Sequence, residues 1–519
     1  MAATSAGASA STTPAAPPVY TDGYKRLVLG LLVTAYTLNF IDRTIIATIG
    51  QAIKVDLKIT DTQLGLLGGL YFALLYTLLG IPIARLAERY SRVNIIAVAV
   101  VVWSGFTALC GTATSFAQLA LYRFGVGVGE AGCSPPAHSL ISDYFEPRKR
   151  ASALAVYSFG IPLGTMFGAV AGGWLAQAFS WRVAFLLVGL PGIFIALAIK
   201  LLMKEPPRGH SEPVARPKLE EDVTVEVEPP PAKAAAAVAP PRASFKGEMS
   251  EIWAVVKILI GTPAIAHMVA GVTLASFAGY GVGQFAPPYF IRTYGLNYAE
   301  VGAIVGLVAG FSAGVGTVAG GFVADRLARR SERWYALTPA IGLAICTPLY
   351  LWAYHQPSWQ LTVALLIAPG ILHYVYLGPT FGVVQNMVDT RRRATATAIL
   401  FFFLNLIALG GGPPVTGWLI DRMASFDFAN PGVTSTWAAF VGVFQSTPAF
   451  NSVCPGGIAP AGSAPDMMQR CQATMALATR QGISVTLFFY LWAAVHYFLG
   501  SVGLVKALAK ARAARGELR

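Results

Sequence analysis

Four ionisable side chains lie in strongly apolar surroundings: Asp42 and Arg43 in "YTLNFIDRTIIATIG", and Arg123 and Glu130 in "YRFGVGVGEAG". A carboxylate can take up or release a proton, and a guanidinium can hold a carboxylate or another anion. The runs around them read as membrane-spanning. An unpaired charge in the hydrocarbon region costs at least ~2.5–3.5 kcal/mol, so such residues face a partner or a wet cavity. Arg123 and Glu130 are two helical turns apart and share one face. At 1.5 Å per residue, Asp42 lies ~22 Å from one surface, and Arg123 and Glu130 lie ~9 Å and ~20 Å from the other. Asp42 and Arg123 are therefore at similar depth, and Glu130 is nearer the midplane. Arg43 points roughly 100° around its helix from Asp42 and is the hardest of the four to place. The pattern predicts one acid, Asp42, held ionised by Arg123 or Arg43, and a second, Glu130, that exchanges a proton with Asp42 sharing the switch. His138, His267, His373 and His496 stand apart with no metal-ligand spacing, and no nucleophile sits beside a base. No catalytic site, metal or cofactor is expected.

The elements that must position these charges follow from hydropathy. With 519 residues, 55% hydrophobic and 12% charged, and a mean hydropathy of +0.58, the chain reads as all-α and polytopic in a membrane. Runs long enough to cross a ~30 Å hydrocarbon core fall at 27–49, 63–85, 94–114, 117–142, 151–178, 182–203, 259–290, 299–325, 335–354, 360–388, 395–421 and 482–505. These twelve spans form two sets of six. The expected organisation is a disordered tail (1–22), an N-terminal six-helix bundle (23–203), a Pro-, Ala- and charge-rich linker (204–250), a C-terminal six-helix bundle (251–505) with an outer loop at 422–480, and a basic tail (506–519). The net charge of +13 is concentrated in short connectors, where orientation rules place it, and implies no nucleic-acid partner. With both termini cytoplasmic, only Lys54, Lys58, Arg182, Arg292, Arg422, Arg470 and Arg480 fall outside. Cys454 and Cys471 both lie in the outer loop, where a disulfide is permitted but not fixed by sequence.

The two sets echo one another. "EPRKRASA" at 146–153 returns as "DTRRRATA" at 389–396, "GGWLAQ" at 172–177 as "TGWLID" at 416–421, and "RLAERYSR" at 85–92 more loosely as "VADRLARR" at 323–330. Parallel repeats of six spans, with a site between the halves near the midplane, are a secondary-transporter architecture. These features resemble the major facilitator superfamily. Its loop motif, Gly-x-Leu-Ala-Asp-Arg-x-Gly-Arg, is matched imperfectly by "ARLAERYSR" and partly again by "GFVADRLAR". The resemblance implies that Glu88, Arg89, Asp325 and Arg326 brace a cytoplasmic gate. "GTMFGAVAGG" in the fifth span is similar to the family's antiporter pattern, with Ala169 at the expected proline, which occurs instead at Pro413 of the eleventh. Within the superfamily, "LNFIDRTIIATIGQAIKVDLKITDTQLGLL" together with "YRFGVGVGEAGCSPPAHSLISDYF" is similar to the spinster branch, which implies lysosphingolipid or lysophospholipid cargo and a proton link.

The second half offers Tyr280, Gln284, His373, Tyr376 and Asn405 among aromatic and apolar residues. A cavity charged on one wall and greasy on the other suits an amphiphile. The expected function is therefore a proton-coupled carrier of a lipid-like molecule by alternating access. A proton-coupled exporter of drugs or small organic anions is the alternative. The expected partners are that substrate, protons and membrane lipids, with a monomer in the cell membrane, the inner membrane of a bacterium.

Overall fold

The computed structural model describes residues 20–211, 245–389 and 392–514. Most of the predicted N-terminal tail, linker residues 212–244 and the last five residues lie outside the described residues. The first half of the chain contains α1 (Asp22–Thr48), α2 (Gly50–Leu57), α3 (Asp61–Gly68), α4 (Leu70–Arg89), α5 (Arg92–Cys110), α6 (Phe116–Glu130), α7 (Ser134–Tyr144), α8 (Pro147–Ser158), α9 (Gly160–Ala178) and α10 (Trp181–Leu202). The second half contains α11 (Phe245–Gly261), α12 (Pro263–Tyr294), α13 (Tyr298–Ala328), α14 (Trp334–Tyr354), α15 (Trp359–Tyr374), α16 (Leu377–Asn386), α17 (Arg393–Phe403), a π-helical turn (Leu404–Leu409), α18 (Gly410–Ala429), α19 (Thr436–Gly442), α20 (Phe450–Val453) and α21 (Pro465–Ala514).

Among the described residues, 11 helical stretches are long and apolar enough to cross a membrane. The difference from twelve lies at the fourth run. Sequence hydropathy reads 117–142 as one span, but the chain breaks it at Ala131–Cys133 into pieces of 15 and 11 residues. Pro135 and Pro136 explain the break, because neither has an N–H to return to the preceding turn and their rings clash with its carbonyls. The same prolines are well placed in the first turn of α7. Both pieces pack on α4 and α5.

The loop expected at 422–480 is shorter than hydropathy indicates. Polar but helical sequence carries α18 to Ala429 and starts α21 at Pro465, leaving 430–464 between them. Cys454, in this segment, is joined by a disulfide to Cys471 on α21. We call this end of the molecule the loop end, and the opposite one, where α10 ends and α11 begins, the linker end.

Helices of each half pack mainly among themselves: α1 on α9 and α5 on α10 in the first, α12 and α14 on α21 in the second. The halves meet chiefly through α9 against α13 and α3 against α18. The glycines of the fifth apolar run make the first of these contacts. A Cβ on Gly173 would come within 2.3 Å of the Tyr298 carbonyl oxygen, and one on Gly302 within 2.3 Å of that of Ala169. Small residues here bring the two backbones into direct contact.

Candidate charge site and the closed loop end

The charge site is assembled by α1, α4, α5 and α6. The alternating glycines of "GVGVGE" set α6 close to its neighbours: a Cβ on Gly127 would lie 2.6 Å from the Phe72 carbonyl oxygen, and one on Gly129 2.5 Å from the Trp103 nitrogen. A larger residue at either position would push α6 away from α4 or α5. Glu130 is the last residue of α6, immediately before the break. There its side chain reaches α1, where Arg43 Nε donates to Glu130 Oε2 at 2.7 Å. The carboxylate is fully buried, and the arginine side chain keeps 18% of its surface exposed. Three rings surround that guanidinium, with centroids at 5.0 Å (Phe40), 4.8 Å (Phe72) and 4.5 Å (Tyr76). Cation–π contact favours the charged arginine in this partly dry position.

Arg123 takes a different partner from the one that depth along the helices indicates. Its Nε donates to the Leu67 carbonyl oxygen at 3.1 Å, and its guanidinium lies 5.3 Å from the same Phe72 ring that Arg43 covers. Asp42 is 2% exposed and sits within electrostatic range of Glu130, Arg123 and Arg43, with Thr107 of α5 beside it. Arg43, not Arg123, is thus the direct partner of Glu130. Turning by 100° from Asp42 carries Arg43 to the α6 side of α1.

Hydrogen bonding in this site is incomplete. Asn39 Oδ1, Asp42 Oδ1, Thr107 Oγ1, Trp103 Nε1, Arg123 Nη1 and Glu130 Oε1 are buried with no hydrogen-bond partner among the described residues. Leaving one such group unsatisfied costs ~1–3 kcal/mol, and buried polar groups in proteins are otherwise nearly always paired. This concentration on three adjacent helices provides free acceptors and donors for an arriving proton, water or ligand. Glu130 in particular has one oxygen tied to Arg43, and Asn39 of α1 lies beside the carboxylate.

The second half contributes unevenly. Tyr280 on α12 is 41% exposed and lies in the field of Arg43. Gln284, one turn on, is buried against α3, where a Cβ on Gly68 would fall 2.1 Å from its Oε1. His373 and Tyr376 instead turn into the second half: His373 Nδ1 shares a hydrogen bond with the Tyr350 hydroxyl at 2.9 Å, and the Tyr376 hydroxyl with Ser276 at 2.9 Å. Asn405 donates to the Phe401 carbonyl at 2.9 Å from within the π-helical turn, a geometry frequent at functional sites. That turn packs on α12 and α4. Tyr280 and Gln284 therefore face the first half, whereas His373 and Tyr376 belong to a tyrosine-rich core.

A second cluster, invisible in the sequence reading, closes the loop end. Asp61 accepts from Arg292 Nη1 and Nη2 at 3.0 and 2.7 Å and from Lys54 Nζ at 2.7 Å. Arg292 also donates to Gln51 at 2.8 Å and Thr479 at 2.8 Å. Asp421 of the second half receives the Asp61 and Thr62 backbone N–H groups at 2.9 and 2.7 Å. These are orphan donors at the start of α3, where the helix favours an anion. Burial pushes the Lys54 ammonium down from the usual lysine range, against the opposing pull of Asp61. The capping sequence Thr60-x-x-Gln63, which starts α3, is the one sequence signal in this cluster. The disulfide-tied segment adds to the closure, with Asn451 Nδ2 donating to the Lys58 carbonyl at 3.5 Å.

At the linker end several ion pairs join residues of the same half. Arg92 is buried and grips Asp143 and Glu205, with Glu205 at 2.6 Å. In the second half, Arg392 pairs with Glu251 at 2.7 Å and Arg512 with Glu332 at 2.5 Å. Glu251 is exposed, and its bond with Arg392 holds it below the usual carboxylate range. Glu88, Arg89, Asp325 and Arg326 are all exposed, with Asp325 beside Tyr335.

Comparison with known proteins agrees with this architecture. Residues 32–413 match the model of the Major Facilitator Superfamily. An "MFS-type efflux pump" of Mycolicibacterium smegmatis is 32% identical over 395 residues, covering 76% of this chain and 84% of that protein. "Protein spinster" of Drosophila melanogaster is 25% identical over 404 residues, 76% of this chain and 62% of that protein. A solved structure described as a bacterial homolog to the human lysosomal transporter Spinster, inward-facing and unoccupied, superposes with a TM-score of 0.77 at 32% identity, covering 94% of this chain and 99% of that one. The buried charges, the all-helical membrane-spanning fold and these matches describe a transporter and not a catalyst, and the chain belongs to the Major Facilitator Superfamily.

Proposed function

We propose that this chain is a proton-coupled carrier of a lipid-like amphiphile of the lysosphingolipid or lysophospholipid type, working by alternating access. The observation that carries this reading is the Arg43–Glu130 pair: a buried carboxylate holds an arginine that is still 18% exposed and lies within range of Tyr280 on the opposite half. A proton on Glu130 removes half of the pair. Arg43 is then free for the anionic or zwitterionic head of a substrate, and Asp42 shares the exchange through its neighbouring charges. The greasy wall of the second half takes the tail, with Tyr280 and Gln284 nearest the head.

The broken helix α6–α7 is the twelfth crossing in this reading, giving two six-helix bundles joined by the 204–250 linker. Both termini lie in the cytoplasm of a bacterial cell, and the working unit is a monomer. The closed loop end and the exposed gate residues at the linker end correspond to an inward-open state. Glu88, Arg89, Asp325 and Arg326 engage when that end closes. The likeness to a bacterial Spinster homolog supports the resemblance to the spinster branch from which the lipid cargo is expected. The likeness to an efflux pump favours a second reading, a proton-coupled exporter of drugs or small organic anions.

Binding of a lysolipid series of increasing chain length to the purified protein separates the two. The lipid reading predicts a gain of ~0.8 kcal/mol per buried methylene, about fourfold in affinity. Affinity independent of chain length, with tight binding of hydrophilic anions, would select the second reading.

A further inference from the structure

A groove of about 570 Å³ runs along the outside of the first half, between α4 and α5, with part of α6 behind it. It is separate from the charge site and opens where Leu86 (49% exposed) and Val98 (62% exposed) form its rims. Its walls are aliphatic, with Ile83 on α4, Val102 on α5 and Val128 on α6. Its floor is Gly129 and Gly132, at the α6–α7 break. Gly132 has no room for a side chain, since a Cβ there would lie 2.8 Å from the Cβ of Ala99.

One end of the groove differs from the rest. Ser91, Tyr90 and Asn94 line it at the linker end, and Lys200 of α10 donates to Asn94 Oδ1 at 2.6 Å. Tyr90 is 63% exposed, and its chain neighbour Arg89 and, next to Asn94, Lys200 are exposed too. From its cap Ser91 to Val102 the groove follows α5 for eleven residue steps, or ~16 Å at 1.5 Å per residue, close to half of a ~30 Å hydrocarbon core. This end also holds Glu205, which accepts from Ser91 Oγ at 2.9 Å, and Arg208, which donates to the Tyr90 carbonyl oxygen at 3.4 Å. A groove that is apolar for the depth of one leaflet, with the cations Lys200, Arg89 and Arg208 outnumbering the acids Glu88 and Glu205 around its head, matches a single membrane lipid. Its volume falls within the roughly 300–1,000 Å³ of small-molecule sites.

We propose that this groove is a binding site for an anionic phospholipid of the linker-side leaflet. One acyl chain lies between α4 and α5, and the phosphate sits against Lys200, Asn94 and Tyr90. The tail ends on Gly129 and Gly132, so the lipid fills the space outside the helix break whose inner face presents Glu130 to Arg43. The site holds whichever substrate the central cavity carries, because none of the four charged residues of the charge site lines the groove.

Native mass spectrometry of the detergent-purified protein, titrated with dioleoyl phosphatidylglycerol or dioleoyl phosphatidylcholine, tests this. The wild type should retain one phosphatidylglycerol in preference to phosphatidylcholine. Lys200→Ala should weaken that retention about fivefold, the effect of one lysine near an anionic surface, and Val98→Trp should abolish it by filling the groove. Both substitutions are at exposed positions, and thermal unfolding of each variant checks that the fold is retained. Phosphatidylglycerol retention equal in all three proteins, or no preference over phosphatidylcholine in the wild type, would overturn the proposal.

Discussion

Removing the Arg43 guanidinium would leave Glu130 with no cation at 2.7 Å and no exposure to water. Breaking a buried pair from one side costs ~3–5 kcal/mol, whereas replacing both partners with apolar groups is often neutral. Arg43→Met should therefore lower the thermal stability of the purified protein, and the double variant Arg43→Met with Glu130→Met should recover most of the loss. Additive losses would mean that the two side chains do not act as a pair. The four charged residues could be read from the sequence because a charge inside an apolar run needs a reason to be there. Their pairing could not. Counting residues gives depth along a helix, which placed Arg123 near Asp42, but not the relative rotation of two helices. That rotation, set by the glycines of α6 against Phe72 and Trp103, brings Arg43 to Glu130.

At the scale of elements, the break in the α6–α7 helix sets where Glu130 points. Pro135→Ala with Pro136→Ala restores both missing donors and should let the helix run through Ala131–Cys133. The protein should stay folded, because alanine is the best helix former and fits the first turn of α7 as well as a continuous helix. Transport in liposomes should fall, because the end of α6 no longer releases the Glu130 side chain toward α1. Full transport by this variant would show that the break is incidental. Hydropathy located the apolar run but not its interruption, since prolines in the first turn of a helix and prolines in its middle look alike in a window average. The same averaging placed the last loop at 422–480. The helical but polar ends of α18 and α21 (Asp421–Ala429 and Pro465–Arg480) lie outside what an apolar window detects.

At the scale of the whole molecule, the halves are held at the loop end by Asp61, Lys54, Arg292 and Asp421, residues that meet only in the folded chain. Composition and repeats made the six-plus-six pattern legible. A contact between residues 231 positions apart leaves no local trace. Arg292→Met removes the cation that ties Asp61 to Gln51 and Thr479, and it should shift the population toward a loop-end-open form. Spin labels at Thr114 and Thr434 should then show a longer-distance component, and an unchanged distribution would place the closure elsewhere. The rocking motion is coupled to cargo, on this account, through one proton on Glu130, so the most direct test is Glu130→Gln in proteoliposomes with an imposed pH gradient. The account predicts a folded protein that still binds substrate but whose transport no longer responds to the gradient. A Glu130→Gln protein whose transport responds to the gradient as the wild type does would contradict it.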